Sequence, residues 1–170
     1  MSNIKIKKET DNDIDAIDQL NRKAFAGEYE PRLVKMLRER GELVVSLIAK
    51  SNEEIIGHVC ASPVTIEGLD CCVAGIGPLS VDASHRCKGI GSLLMEEVIV
   101  HLRNTGFIGA VLLGDPKYYP RFGFKTASLF DLQNEYGADD AFMAMELQPE
   151  ALNSISGLAK YTSAFAECEA

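Results

Sequence analysis

Residues 81–92 carry the clearest structural signal of this chain and read Val-Asp-Ala-Ser-His-Arg-Cys-Lys-Gly-Ile-Gly-Ser. They follow an apolar run rich in β-branched residues and precede an amphipathic one, so they predict a loop between a strand and a helix. Gly89 and Gly91 let the backbone approach a ligand closely. The first turn of a helix offers free amides at its positive dipole end, and Arg86 and Lys88 add charge. We therefore expect this loop to bind a diphosphate.

Two common nucleotide-binding motifs do not fit this loop. The dinucleotide-binding fingerprint needs a third glycine at the position where Leu94 stands. The P-loop needs a lysine directly after its second glycine, whereas Lys88 precedes Gly89. The pattern that remains is Arg-x-x-Gly-x-Gly, which begins at Arg86.

The flanking sequence predicts alternating strands and helices in one order, β-α-α-β-β-β-α-β-α-β. The predicted elements are an edge strand around Ile4 and Ile6, a helix ending near Ala26, a second helix between Gly27 and Gly41, strands at 43–49, 55–66 and 71–81, a helix at 89–103, a strand at 107–113, a short helix at 115–122 and a strand at 141–147. The connectors at 51–53 and 68–70 are short, which favours antiparallel pairing. With one β-α-β crossover, the order predicts a mixed sheet with helices on both faces.

The composition is that of an ordinary globular protein, with 170 residues, 46% hydrophobic and 25% charged. This length predicts one domain, residues 1–170. The formal charge of -8 argues against general nucleic-acid binding, which needs clustered cations, and fits a basic partner better. No apolar run is long enough for a membrane span or forms a signal core. Five cysteines without a disulfide pattern predict a reducing, cytoplasmic location, and three scattered histidines predict no metal site.

Two segments together resemble the GCN5-related N-acetyltransferase (GNAT) family. The first is the Arg-x-x-Gly-x-Gly loop, which is similar to the pyrophosphate loop of that family. The second, residues 114–124, reads Gly-Asp-Pro-Lys-Tyr-Tyr-Pro-Arg-Phe-Gly-Phe and resembles the tyrosine-bearing segment that closes the family's acetyl-CoA site. Tyr119 lies four residues before Gly123, where the family carries a tyrosine that often protonates the departing thiolate.

The resemblance extends over nearly the whole chain and is closest to the YhbS-type branch of the family. It includes residues 57–58, 62–64, 77–79 and 157–165. It implies the α/β (α+β) GNAT fold, with a mixed, mostly antiparallel central sheet of about seven strands and helices on both faces. One position departs from the wider family: Gly114-Asp115 stands where many members place an asparagine that bonds pantetheine, which leaves that contact unassigned.

The resemblance also implies the site residues and their roles. Tyr119 is the expected general acid, and a backbone N–H in the Leu79–Val81 region is expected to bond the thioester oxygen. The residues expected to bind acetyl-CoA are Leu79, Ser80, Val81, Arg86, Cys87, Lys88, Gly89, Ile90, Gly91 and Ser92. The general base stays open between Glu28, Glu30, Glu67, Asp70 and a chain of bound water.

The function implied is direct transfer of acetyl from acetyl-CoA to a primary amine of a small molecule or protein. Two alternatives stay open: an acyl-CoA-binding sensor without turnover, and a transferase for a longer acyl group or a hydroxyl acceptor. The acceptor depends on the loops around the first helices, on residues 67–70 and on residues 149–165, none of which contains a recognition motif. A homodimer is a further expectation, since dimers are common in this fold.

Overall fold

The computed structural model describes residues 3–169. The strands and α-helices are β1 (Ile4–Lys8), α1 (Ile14–Ala24), α2 (Tyr29–Glu39), β2 (Val45–Ser51), β3 (Glu54–Ile66), β4 (Leu69–Val81), α3 (Ile90–Asn104), β5 (Gly109–Leu113), β6 (Lys125–Thr126), β7 (Leu132–Asn134), β8 (Phe142–Glu146), β9 (Gly157–Lys160) and α4 (Ser163–Glu169). This order agrees with the predicted one up to β5, after which short strands appear that the pattern did not predict.

The strands form one mixed, mostly antiparallel sheet in the order β1-β2-β3-β4-β5-β8-β6. Only β4 and β5 are parallel along this path, because α3 crosses over between them. The path of seven strands agrees with the expected number. Two short strands join it elsewhere: β9 pairs with the end of β3, and β7 pairs parallel to β9. The predicted edge position of β1 and the antiparallel pairing of β2, β3 and β4 are confirmed.

Helices cover both faces of the sheet, as predicted. On one face α3 packs so closely that a Cβ added to Gly57 of β3 would lie 2.9 Å from Cδ1 of Leu94. The next residue, His58, faces the opposite side, since alternate residues of a strand point to opposite faces. Its pairing partner Ser80 donates a hydrogen bond of 2.6 Å to Oδ1 of Asn21 in α1. α1 and α3 therefore lie on opposite faces.

Two predicted helices end or begin differently from expectation. α1 stops at Ala24, because Phe25 takes extended backbone dihedrals (φ -111°, ψ 142°). The predicted helix at 115–122 is a short 3₁₀ helix confined to Tyr119–Phe122. The residues before it form a turn, in which the Asp115 side chain accepts a 2.8 Å hydrogen bond from the amide two residues later. Such side-chain bonds compete with helix formation.

The sheet opens between β4 and β5. Their pairing ends at the Gly75–Val111 pair, although β4 continues to Val81. β4 also carries an extra residue between Ile76 and Leu79 relative to β3, and such a bulge bends the strand that contains it. The second half of β4 thus leaves β5 and borders a gap in the middle of the sheet.

Candidate active site

Two cavities occupy the region where β4 and β5 part. The first, of about 590 Å³, lies between the end of β4, the loop 82–89 and the start of α3, and we call it the loop cavity. The second, of about 640 Å³, lies between β4, β5, α2 and α4 and is bordered by Tyr29, Tyr119 and Tyr161; we call it the aromatic cavity. Leu79 and Phe25 line both. The two cavities therefore adjoin at Leu79 of β4 and at Phe25.

The loop cavity brings together the predicted cofactor-binding residues, with one difference. Leu79, Ser80, Val81, Arg86, Cys87, Gly89, Ile90, Gly91 and Ser92 all line it. Lys88 is exposed and is not among the lining residues. Arg86 therefore lines the loop cavity and Lys88 does not, although the sequence predicts the same role for both.

Free amides at the start of α3 face the loop cavity. The first backbone bond that closes into the helix runs from Leu93 N to Gly89 O, at 3.0 Å. The amides of residues 90–92 precede it and have no acceptor within the helix, as at any helix N-terminus. Gly89 adopts left-handed dihedrals (φ 83°, ψ 6°), which a residue with a Cβ adopts only at a cost. This geometry suits the anion site that the paired glycines predict.

The end of β4 directs further backbone groups into the gap. Asp82 N donates to Ile56 O of β3 at 2.8 Å, so the backbone groups of residue 82 point toward β3. Because these directions alternate along a strand, the N–H groups of Val81 and Leu79 point the other way, toward the gap. Val81 O confirms this direction, since it accepts a 3.2 Å bond from Nε of Arg86.

Arg86 connects three parts of the loop cavity. Besides its bond to Val81, its Nη2 donates to the Ala24 carbonyl oxygen at the end of α1, at 3.4 Å. The remaining N–H groups of the guanidinium are available to an anion. Arg86 is thus held by backbone carbonyls at the edge of the cavity, which fixes its charge there.

Tyr118 and Tyr119 point into different cavities, although they are neighbours in sequence. The Tyr118 hydroxyl lies 3.1 Å from Oγ of Ser92, and Cζ of Arg121 lies 4.2 Å from the centre of the Tyr118 ring. Both contacts place Tyr118 in the loop cavity. Tyr119 instead lines the aromatic cavity, beside Leu79. The sequence assigned a role to Tyr119 alone, so Tyr118 and Arg121 are additions from the structure.

The surroundings of Tyr119 keep its hydroxyl protonated. Its ring packs edge-on against Phe124 (centroids 6.2 Å apart) and Tyr118 (5.0 Å). Burial raises the pKa of Tyr119 above that of a free phenol, and the neighbouring Tyr118 and Asp115 raise it further. A phenol with a raised pKa remains a proton donor throughout the neutral range. This protonation state suits the predicted general acid.

Of the four carboxylates considered as bases, only Glu30 lines the aromatic cavity. Glu28 is exposed and forms an ion pair with Arg22. Glu67 accepts a 3.1 Å bond from Leu158 N, and Asp70 accepts a 3.0 Å bond from Cys72 N. Both carboxylates are thus engaged by backbone amides, Glu67 by the β9 residue Leu158 and Asp70 by Cys72 in its own strand β4. The expectation that residues 67–70 help to form the acceptor region is therefore not supported by the lining of the cavity.

Phe25 and the C-terminal aromatic side chains were not identified individually from the sequence, although residues 149–165 were expected to help form the acceptor region. Phe25 reads as one more apolar residue of a helix face, but it follows the helix and stands between the two cavities. Tyr161 and Phe165 reach the aromatic cavity from the far end of the chain. No local pattern predicts such contacts, because they depend on how β9 and α4 fold back onto the sheet.

Within residues 3–169, no group of three or more His, Cys, Asp or Glu side chains could hold a metal ion. In the same range, none of the helices combines the length and the apolar character that crossing a bilayer requires.

Comparison with known proteins gives matches over most of the chain. The model of the Acetyltransferase (GNAT) family matches residues 14–124. The Uncharacterized N-acetyltransferase YhbS of Escherichia coli K12 is 39% identical over 155 residues, which cover 90% of this chain and 93% of that protein.

Solved structures agree with these matches. A crystal structure of the GNAT family N-acetyltransferase YhbS from E. coli, in complex with CoA, superposes with a TM-score of 0.94 at 36% identity, covering 98% of this chain and 93% of that one. A GNAT family acetyltransferase from Brucella melitensis, in complex with acetyl-CoA, gives a TM-score of 0.83 at 32% identity, covering 97% and 99%. Sequence, fold and cavity geometry agree: this chain belongs to the GNAT family of acetyltransferases.

Proposed function

We propose that this protein is an N-acetyltransferase that transfers acetyl directly from acetyl-CoA to a primary amine. In this proposal the diphosphate of acetyl-CoA lies in the loop cavity, its thioester lies at Leu79, and the amine enters through the aromatic cavity. The observation that carries the proposal is that Leu79 borders both cavities, so two ligands can meet at one backbone position. The complexes of the two relatives with CoA and with acetyl-CoA support the identity of the cosubstrate.

The backbone and Tyr119 supply the chemistry of the transfer. The Leu79 N–H, which points into the gap, donates to the thioester oxygen and stabilises the negative charge that develops there. The neutral amine nitrogen forms a bond to the carbonyl carbon, the carbon–sulfur bond breaks, and its electron pair stays on sulfur. The Tyr119 hydroxyl donates its proton to that thiolate. Glu30 or bound water takes the proton that the amine nitrogen loses.

The placement of the cysteines favours direct transfer over an acetylated enzyme. Among the described residues that line the aromatic cavity, none is a cysteine. Cys60 is buried and its thiol donates to Gly77 O at 3.3 Å, and burial raises its pKa to about 12. Cys87 lines the loop cavity, on the diphosphate side of Leu79. None of these cysteines is therefore placed to attack the thioester as a thiolate.

The variant Tyr119→Phe tests the assigned acid, and Tyr118→Phe serves as the matched control. We expect Tyr119→Phe to lower kcat by about 100-fold, since general acid catalysis contributes at least that much, and to leave the Kd for CoA within about threefold. Tyr118→Phe should instead raise the Kd for CoA while kcat stays within about threefold, because Tyr118 lines only the loop cavity. Unchanged kcat in Tyr119→Phe removes Tyr119 from the mechanism.

Thiol release and calorimetry separate the proposal from its alternatives. If acetyl-CoA neither binds nor stabilises the protein, the transferase is excluded. Binding without CoA release on any amine favours the acyl-CoA sensor. A higher kcat/KM with longer acyl-CoA than with acetyl-CoA favours the longer-chain transferase.

The proposal also includes a cytoplasmic enzyme and a homodimer. All five cysteines, which lie within the described range, are free thiols, as in a reducing compartment. Cell fractionation checks the location. Light scattering checks the dimer, which a monomeric mass at micromolar concentration would exclude.

A further inference from the structure

One end of the aromatic cavity contains aromatic rings that pack against one another at tilted angles. Tyr161 lies between Phe165 (centroids 4.7 Å apart) and Tyr136 (6.1 Å). Its ring rests on β4 at the point where the sheet opens: a Cβ added to Gly75 would lie 2.4 Å from Cε1 of Tyr161. Gly75 therefore makes room for this ring. The Tyr29 hydroxyl donates to Phe165 O at 3.2 Å, which ties α2 to α4 across the same end.

The charged groups of this cavity are all acidic. Glu30 at the start of α2 and Glu169 at the end of α4 both line it. Of the described residues around the cavity, none is Lys, Arg or His. The negative charge of Glu169 contributes to the raised pKa values of Tyr29 and Tyr136, for which burial is the larger cause. The same field lowers the energy of a cation that enters.

We infer that the acceptor is a small diamine, in which two amino groups are joined by an apolar chain. This inference rests on the proposed function, because it concerns the amine that enters the aromatic cavity. One nitrogen reaches the thioester at Leu79 in its neutral form. The other stays protonated among the aromatic rings and close to the carboxylates of Glu30 and Glu169, which line the same cavity.

Each part of the cavity matches one part of such a molecule. Aromatic faces attract an ammonium group through the ring quadrupole, and a nearby carboxylate adds a direct charge interaction. Ile76, Leu112 and Leu113 also line the cavity and offer an apolar surface for the chain. The volume of about 640 Å³ is within the range of small-molecule sites. A monoamine of the same length would leave the acidic end without a partner.

Matched amine pairs test the inference. The full-length protein is assayed for CoA release with 1-aminobutane against 1,4-diaminobutane, and with 1-aminohexane against 1,6-diaminohexane. We expect kcat/KM to be at least about tenfold higher for one or both diamines than for the monoamine of equal length. Equal values for both pairs, or a higher value for a peptide amine than for either diamine, overturn the inference.

Variants on α2 locate the source of the preference. Glu30→Gln removes the charge at the cavity, and Glu39→Gln removes an equal charge at the other end of the helix, where Glu39 pairs with Lys35. We expect Glu30→Gln to reduce the diamine preference to about twofold and Glu39→Gln to leave it unchanged. Unchanged preference in Glu30→Gln overturns the placement of the second nitrogen.

Failure of the inference can be told from failure of the proposed function. Loss of CoA binding or of all turnover would contradict the proposed function itself. Where CoA binds but no amine turns over, thermal shift with 1,6-diaminohexane in the presence of CoA decides. A larger rise in Tm with 1,6-diaminohexane than with 1-aminohexane supports the diamine site. Equal rises in Tm overturn the inference.

Discussion

The ring of Tyr119 occupies the space that any side chain at position 114 would need. A Cβ added to Gly114 would lie 2.3 Å from Cε2 of Tyr119, far inside contact distance. Gly114 directly follows β5, at the position where many GNAT enzymes carry an asparagine. The departure from that pattern thus has a steric reason: this chain gives the position to the ring of the proposed general acid.

The variant Gly114→Ala should displace Tyr119 and slow turnover. We expect kcat to fall by about tenfold or more, while the Kd for CoA changes by less than about threefold, because the loop cavity is not altered. Steady-state kinetics and calorimetry measure the two quantities. The double variant Gly114→Ala/Tyr119→Phe should be no slower than Tyr119→Phe alone. If the two substitutions lower kcat independently, so that the losses multiply in the double variant, the steric explanation is contradicted.

Arg86 and Lys88 should contribute unequally to cofactor binding. Arg86 is fixed by two carbonyl oxygens and lines the loop cavity, whereas Lys88 is exposed and does not. We expect Arg86→Ala to raise the Kd for CoA by about tenfold or more, as for the loss of a hydrogen bond to a charged group. Lys88→Ala should cost less than about threefold, and its effect should vanish at high salt. Equal losses, measured by calorimetry, would show that the loop acts only through its net charge.

Alkylation of Cys87 should be blocked by CoA. Cys87 and Cys72 are both exposed, but only Cys87 lines the loop cavity. At CoA ten times above its Kd, labelling of Cys87 by iodoacetamide should slow about tenfold, since only the unoccupied fraction reacts. Peptide mass spectrometry follows both thiols, and Cys72 is the internal control. Protection of both cysteines would point to a change of the whole molecule.

His58 is a buried histidine that the proposed chemistry does not use. Its Nε2 lies 2.8 Å from Oγ of Ser46 and 4.0 Å from Oε1 of Glu9. Arg38 holds the same carboxylate with bonds of 2.8 and 3.0 Å. Burial lowers the pKa of His58 to about 4, although Glu9 opposes the shift. The folded protein therefore carries His58 in its neutral form.

Stability should fall as the pH drops from 6.5 toward 4. In this window the unfolded chain binds a proton at His58 and the folded chain does not, so acid favours unfolding. The free energy of unfolding should decrease by about 2 kcal/mol between pH 7 and pH 5, from the 1.36 kcal/mol per pKa unit. Glu9 and Asp13, whose pKa values are lowered below their ordinary values near 4, lose their contribution only at lower pH.

Urea unfolding at several pH values measures this dependence. His58→Gln should flatten it strongly. His101→Gln should flatten it less, because His101 on α3 is only partly buried, although burial lowers its pKa in the same direction. If His58→Gln does not fold, NMR titration of the unmodified protein is decisive. A His58 ring that titrates above pH 6 in the folded state would contradict the prediction.

The sequence predicts the loop cavity well because its signals are local. Two glycines, one arginine and the first turn of a helix lie within seven residues, and each has a meaning that does not depend on the rest of the chain. The order of the first strands follows equally from short connectors. The β-α-β crossover that places β5 beside β4 followed from the order of the predicted elements. The resemblance to the GNAT family, now confirmed, supplied the role expected of Tyr119.

The sequence predicted the acceptor region only by segment, from the first helices and residues 149–165, and it did not identify the side chains of the aromatic cavity, because they are distant in sequence. Tyr161 is brought to Gly75 by β9, a strand of four residues that pairs with the end of β3. So short a strand has no periodic pattern to identify it. The position of Phe25 depends on where α1 ends, and helix ends are among the least certain features of a sequence-based prediction.

The early parting of β4 from β5 has a consequence for how this protein tolerates genetic change. The donors that the gap exposes at residues 79 and 81 belong to the peptide bond, and every amino acid except proline supplies the same N–H. Mutation at these two codons can alter the shape of the side chain but does not erase the donor unless it introduces proline. The proposed contact to the thioester is therefore encoded by the path of the chain, and it would persist in relatives whose residues at these positions look unrelated.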